Sequence, residues 1–343
     1  MSRAFSILTP DAQYEDDAEL ERETAGPDFA FDIFREREAA RIDETHWRAA
    51  DALLVWHEVF IDRELIAKLD NCRVIVRAGV GFDHIDLDAA AAAGIPVCNT
   101  PDYGTSEVAD HAIGMLLAFR RGLVFHDQRL QQSPVDAFKP GAPQVERVRG
   151  SRLGIVGLGR IGTATALRAK AFGIEVVAYD PELPRGQEIA VGVSRVDSLE
   201  ELLETCDAVS LHTPLNETTH HLIDADALAR MPPHAVLINT ARGAVVDIDA
   251  LYTALVEGGI AGAALDVLPE EPPNMSRPLF AALERGDERL KDRLILTPHA
   301  AWYSPASRAD ARRLSTETLT RYLRGEGLRN CVNAELLKLY GHG

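Results

Sequence analysis

The sequence predicts an α/β protein of two doubly wound parallel-sheet domains, with the second inserted into the first. Three observations predict it. Short apolar runs alternate with helical segments along most of the chain, the pattern of parallel strands joined by crossover helices. After residue 151 the alternation becomes regular, with six strand-like runs in about 150 residues, the size of one domain. The remainder, 303–343, has too little strand pattern to fold alone, so it is expected to return to the first domain. The expected domains are therefore 1–104 with 303–343, and 105–302.

In the first domain the strand-like runs are FSIL, DFAFDIF, ALLVW, CRVIVRAGVGF and PVCNT. DLDAAAAAGI between the last two reads as a helix ending at Gly94. Residues 106–131 have apolar positions recurring at three and four, which predicts one long connecting helix. Residues 133–150 carry three prolines and two glycines without periodicity, so a linker is expected there. The later strands are expected in RLGIVG, GIEVVAYD, DAVSLHTP, HAVLINT, IAGAALDV and RLILTPH. Helices are expected from the glycine turn to Phe172, near 197–204, 224–230, 247–257 and 277–284, and from 303 to about Leu323.

A net charge of −17 repels nucleic acid and anionic membrane, so no partner of either kind is expected. Thirteen acids against four bases fall within residues 11–44, away from every motif described below, which reads as a solvated face. The four cysteines have neither disulfide-framework nor zinc spacing, which fits a reducing compartment. With no membrane-length apolar run and no signal-peptide layout at the start, a cytoplasmic location is expected. His220 and His221 read as residues at a helix start, and the other histidines outside the TPH segment lack metal spacing, so no metal is expected.

Gly157-Leu158-Gly159-Arg160-Ile161-Gly162 fits G-x-G-x-x-G. Alone that pattern is weak. Here an apolar strand precedes it, a helical segment follows, and the next strand ends on Asp180, 18 residues beyond Gly162. That context belongs to a dinucleotide site: the glycines let a pyrophosphate approach, and the helix N-terminus supplies free N–H groups and positive dipole. A carboxylate at Asp180 accepts from the adenosine ribose and repels a 2′-phosphate. With no base before Arg185, NAD is favoured over NADP.

Three further residues follow strand ends of the same domain, where open α/β sheets place their ligands. Arg242 follows VLINT, Glu271 lies a little past AALDV, and His299 follows LILTP. These groups suit the reduction of a 2-keto acid. The guanidinium grips oxygens, the imidazole delivers a proton, and the carboxylate, if it touches the imidazole, favours the protonated form and extends acid catalysis to higher pH. Each alone has a structural alternative: a turn arginine, a solvated loop acid and a capping histidine.

With RAGVGFDHID, GIPVCNTP, GIVGLGRIG, LHTPL, LINTARGAVVD, GAALDVLPEEP and TPHAA in order, the chain resembles the D-isomer-specific 2-hydroxyacid dehydrogenase family from about residue 50 onward. The resemblance implies a Rossmann NAD-binding domain inserted into a flavodoxin-like substrate domain, with Arg242, Glu271 and His299 catalytic. It further implies that Arg77 and the backbone N–H groups of Val80 and Gly81 bind the substrate carboxylate. Val108, Thr213, Pro214, Thr240, Ala241 and Asp266 are implied to line the nicotinamide side, together with Arg242 and His299. AAWYS, VCN and NCVN look closest to the C-terminal-binding-protein branch, in which Trp302 would face the substrate.

The leading expectation is NAD-dependent interconversion of a D-2-hydroxy acid and a 2-keto acid. One alternative is an NADH-sensing, co-repressor-like scaffold. Another is a phosphite dehydrogenase-like enzyme; Glu271 disfavours a formate enzyme, since those carry glutamine there. A homodimer is expected through residues 106–131, where Ile113, Met115, Leu116, Leu117 and Phe119 offer more apolar surface than one helix stripe buries.

Overall fold

The computed structural model describes residues 3–138 and 145–342, so 139–144 of the expected linker lie outside the described residues. The chain divides into two compact units, 1–104 with 303–343 and 105–302. The first holds five parallel strands: β1 (Phe5–Thr9), β2 (Phe29–Ile33), β3 (Ala52–Val55), β4 (Ile75–Arg77) and β5 (Val97–Cys98), in the order β2-β1-β3-β4-β5. This is the flavodoxin-like order, which reverses direction between β1 and β3. Among the described residues no helix is long and apolar enough to cross a membrane.

The second unit holds β6 (Arg152–Val156), β7 (Glu175–Tyr179), β8 (Ser194–Arg195), β9 (Ala208–Leu211), β10 (Val236–Asn239), β11 (Gly262–Leu265) and β12 (Leu294–Leu296). They pair in parallel in the order β12-β11-β10-β9-β6-β7-β8, with the reversal between β6 and β9. Strands β9, β10 and β11 are buried at every position. Helices cover both faces of such a sheet, which is why these strands read as continuous apolar runs rather than alternating ones.

Four expectations for this unit need correction. Among the described residues the second sheet has seven strands rather than six: β8 is two polar residues at the sheet edge and carries no hydrophobic signal. The single helix over 106–131 is two helices, Thr105–Arg120 and Leu123–Gln132, because Gly122 between them takes a left-handed conformation at φ 59°. His220 and His221 stack in a turn that precedes the helix Ala225–Arg230. Finally, Ile113, Met115, Leu116 and Phe119 are buried in the unit's own core, with Leu117 packed against it, so they leave no spare apolar face. The exposed apolar residues lie instead on the second helix, at Leu123, Val124 and Leu130.

The acidic segment is not simply a solvated face. Asp11, just beyond β1, is buried and accepts from the backbone N–H of Trp56 (2.8 Å), Glu58 (2.9 Å) and Val59 (3.2 Å), tying the chain after β1 to the chain after β3. Glu21 is fully buried and takes both oxygens to Arg312 at 2.8 and 2.6 Å. Arg312, on the helix Pro305–Leu323, also grips Asp16 through two 2.7 Å bonds and lies 3.7 Å above the Tyr14 ring. A planar fork with two bidentate carboxylates and an aromatic face leaves little of its charge unpaired. These bonds hold the returning C-terminal segment in the first unit.

Candidate active site

The glycine turn lies between β6 and the helix Arg160–Ala171. Gly157 sits at φ 90°, which an L-residue avoids. A side chain at Gly159 would project into open space, at the place where a pyrophosphate would meet the first N–H groups of the helix. Asp180, after β7, accepts from Leu158 N at 2.8 Å and from Glu182 N and Leu183 N at 3.1 Å. Its carboxylate thus joins the glycine turn to the next loop. Arg195 on β8, which the sequence left without a signal, donates to the Asp180 and Leu183 carbonyls at 2.9 Å and fixes that loop from the other side.

At the ends of β9 and β10 the hydroxyls of Thr213 and Thr240 are buried without a hydrogen-bond partner among the described residues. Leaving two such groups unmet is costly, and a ligand amide or ribose would supply what they lack. Pro214 and Ala241 follow them in the chain. Val108 is buried on the helix Thr105–Arg120. The glycine cradle, the carboxylate at Asp180 and the two unmet hydroxyls therefore fit a dinucleotide.

β10, β11 and β12 are adjacent, with Asn239 level with Leu265 and Leu265 level with Leu296. Their following loops consequently start from one line. In the first loop the buried Asn239 side chain accepts from Ala241 N (2.9 Å) and donates to the Arg242 carbonyl (2.8 Å), holding the turn that presents Arg242. The next residue, Gly243, has no room for a side chain: a Cβ there would stand 1.9 Å from the Leu268 carbonyl carbon. That close approach brings the backbone leading to Glu271 against the arginine turn.

Glu271 accepts from Leu268 N through Oε1 (2.8 Å) and pairs with His299 Nδ1 through Oε2 (2.7 Å). Burial pushes its pKa up, but the His299 hydrogen bond and charge, the Leu268 N–H and the Arg242 charge outweigh that and hold it below the ordinary 4.5. A depressed carboxylate pKa means the ionised partner persists as pH falls, until the pH passes through that lowered value.

His299 has φ 53°, a left-handed conformation that is uncommon for a residue with a Cβ. Asp266 holds it there. The Asp266 carbonyl accepts from His299 N at 2.7 Å, and its buried carboxylate accepts from Ala300 N and Ala301 N, both at 2.9 Å, and from the Thr297 hydroxyl. Both carboxylate oxygens thus serve the turn, and the same carboxylate is the one that the resemblance assigns to the nicotinamide side.

Arg242, Glu271 and His299 are thereby brought together, and Trp302 is half-buried in the same unit. Arg77, Val80 and Gly81 belong to the first unit. There Arg77 is buried and its guanidinium lies over Gly79, where a Cβ would stand 1.6 Å from Nη1. Thr100 donates to the Arg77 and Gly79 carbonyls (both 2.9 Å) and Asn99 to that of Val80 (2.8 Å). Among the described residues the N–H groups of Val80 and Gly81 donate to no protein acceptor.

Residues 113–301 match the family model described as D-isomer specific 2-hydroxyacid dehydrogenase, NAD binding domain. A glyoxylate reductase of Thermofilum pendens is 39% identical over 295 residues, covering 85% of this chain and 84% of that protein. A D-3-phosphoglycerate dehydrogenase of Methanocaldococcus jannaschii is 36% identical over 327 residues, covering 95% of this chain; the chain spans 59% of that protein's length. Among solved structures, D-lactate dehydrogenase from Aquifex aeolicus, complexed with NAD and lactic acid, is similar with a TM-score of 0.83 at 30% identity, covering 97% of each chain. With the fold, the glycine turn and these likenesses in agreement, the chain belongs to the D-isomer-specific 2-hydroxyacid dehydrogenase family, whose NAD-binding domain it carries.

Proposed function

We propose that this protein reduces a 2-keto acid to a D-2-hydroxy acid with NADH, and runs the reverse reaction with NAD. The observation that carries the reading is the 2.7 Å contact between His299 Nδ1 and Glu271. With Nδ1 committed to the carboxylate, Nε2 is the ring atom that carries a proton for the substrate. NADH, when bound, supplies the hydride that reaches the carbonyl carbon. His299 gives its Nε2 proton to the carbonyl oxygen as negative charge builds there, and in the reverse direction takes that proton back. Glu271 fixes the ring and balances the imidazolium charge. Arg242 orients the substrate oxygens and polarises the carbonyl with its planar fork.

In the first unit, Arg77 and the Val80 and Gly81 N–H groups form a nest suited to a carboxylate, and we assign them to the substrate's acid group. In the second, the glycine turn with Arg160 and Ile161 is assigned to the pyrophosphate, Asp180 to the adenosine ribose, and Thr213 and Thr240 to the nicotinamide side. Trp302 is assigned to the substrate side chain. The Asp180 carboxylate favours NADH over NADPH, because a 2′-phosphate would meet like charge.

A panel of 2-keto acids of graded side-chain size tests the reading. At least one is reduced, with NADH preferred over NADPH, and His299→Ala or Arg242→Ala lowers kcat roughly 10²- to 10⁴-fold. Wild-type rates in both variants would overturn the mechanism. We also place a homodimer contact on the helix Leu123–Gln132, because Leu123, Val124 and Leu130 are exposed there. Light scattering is expected to give a dimer that Leu123→Asp with Leu130→Asp weakens; a monomeric wild type removes the assignment.

A further inference from the structure

Resting on the reading of His299 as the acid, we propose that His111 and Thr297 are positioning residues that hold the histidine turn in its left-handed form. Thr297 follows β12, and its hydroxyl donates to Asp266 Oδ1. A hydroxyl has one proton to give, so the contact between Thr297 Oγ1 and His111 Nε2 (3.0 Å) has only one direction. His111 donates and Thr297 accepts. The resulting array runs from His111 on the helix Thr105–Arg120, through Thr297, to Asp266. From Asp266 it reaches the backbone of His299, Ala300 and Ala301. A left-handed backbone at His299 persists only where its surroundings over-determine it, and this array is what surrounds it.

Thr297→Val removes the hydroxyl and keeps the shape. It is expected to lower kcat roughly 10²-fold, the scale of a small misplacement of a catalytic group. NADH affinity by fluorescence titration and KM for the keto acid should move less than about twofold, since the hydroxyl is taken up by Asp266 and His111. Thr297→Ser, which restores the donor, should recover the rate. Should Thr297→Val fold poorly, His111→Phe reads the far end of the same array with a smaller loss in kcat. Unchanged kcat in a folded variant, or a loss confined to NADH affinity, overturns the proposal. His299→Ala run beside them separates the two claims: activity retained there defeats the functional reading itself.

A separate observation in the first unit carries a second inference. Cys98 on β5 and Cys331 face each other in an isolated antiparallel bridge, flanked by bonds from Asn99 N to Asn330 O (3.1 Å) and from Val332 N to Val97 O (2.8 Å). That flanking pattern makes them a non-hydrogen-bonded pair, whose Cα atoms stand about 4.5 Å apart with side chains on one face. Disulfides form across about 4.4–6.8 Å. We infer that Cys98 and Cys331 are a site of thiol–disulfide exchange, joining in a bridge when a small disulfide such as oxidised glutathione is present.

Cys331 is half-buried and Cys98 fully buried, so Cys331 is the attacking group. The hydrogen bond from Cys98 holds the Cys331 thiol down at about 7, while the same contact and burial push Cys98 up. The Cys331 thiolate attacks one glutathione sulfur, breaking the reagent's S–S bond and releasing one glutathione thiolate. Cys98, giving up its proton to solvent, then attacks the Cys331 sulfur and releases the second. The protein dithiol is oxidised and the reagent reduced by two electrons. Burial holds Cys72 at about 12 and Cys206 at about 11, keeping both as unreactive thiols.

Treating the full chain with oxidised glutathione should yield a protein two hydrogens lighter, with the 98 and 331 peptides linked in mass spectra. Cys98→Ser should stop at a glutathione adduct on Cys331, and Cys331→Ser should not react. A wild-type protein that keeps a stable adduct on Cys331, or that is not modified at all, overturns the inference.

Discussion

A buried carboxylate has to be met by donors, and in this molecule the donors that meet Asp266 belong to the segment that presents the imidazole. Its side chain collects the Thr297 hydroxyl and the N–H groups of residues 300 and 301, and its carbonyl takes the N–H of His299. Its own N–H goes to the Asn239 carbonyl, on the strand that leads to Arg242. One residue therefore satisfies its own burial by fixing the ends of three neighbouring strands. The left-handed conformation at His299 follows from that arrangement and costs on the order of 1–3 kcal/mol, which these bonds offset.

The remaining geometry follows from parallel register. Strands β10, β11 and β12 end level, so their loops leave from a common line and Arg242, Glu271 and His299 need only short reaches to meet. Gly243 then allows the Leu268 backbone to pack where a side chain would otherwise stand, which sets Glu271 within bonding distance of His299. The carboxylate stays ionised because the imidazole, the Leu268 N–H and the arginine charge together outweigh its burial.

The legible part of this in the sequence was whatever rests on local pattern. Buried parallel strands read as apolar runs, the glycine turn reads through its flanking strand and helix, and the gathering of Arg242, Glu271 and His299 reads through their place after strand ends. Features set by contacts distant in sequence did not read. The burial of Glu21 depends on Arg312, almost 300 residues away, so the acidic stretch looked like a solvated surface. Strand β8 is two polar residues and owes its existence to pairing with β7. The break at Gly122 was hidden because the apolar spacing continues across it. His111 gave no signal because the bond it makes is to a threonine 186 positions on.

The proposed chemistry depends on His299 and Glu271 acting as one unit, and a double-mutant cycle on kcat/KM for a reduced keto acid addresses that most directly. If the pair acts together, His299→Ala with Glu271→Gln is no slower than His299→Ala alone, because the carboxylate has nothing left to orient. If the two losses instead multiply, Glu271 works independently of the imidazole and the central claim is wrong.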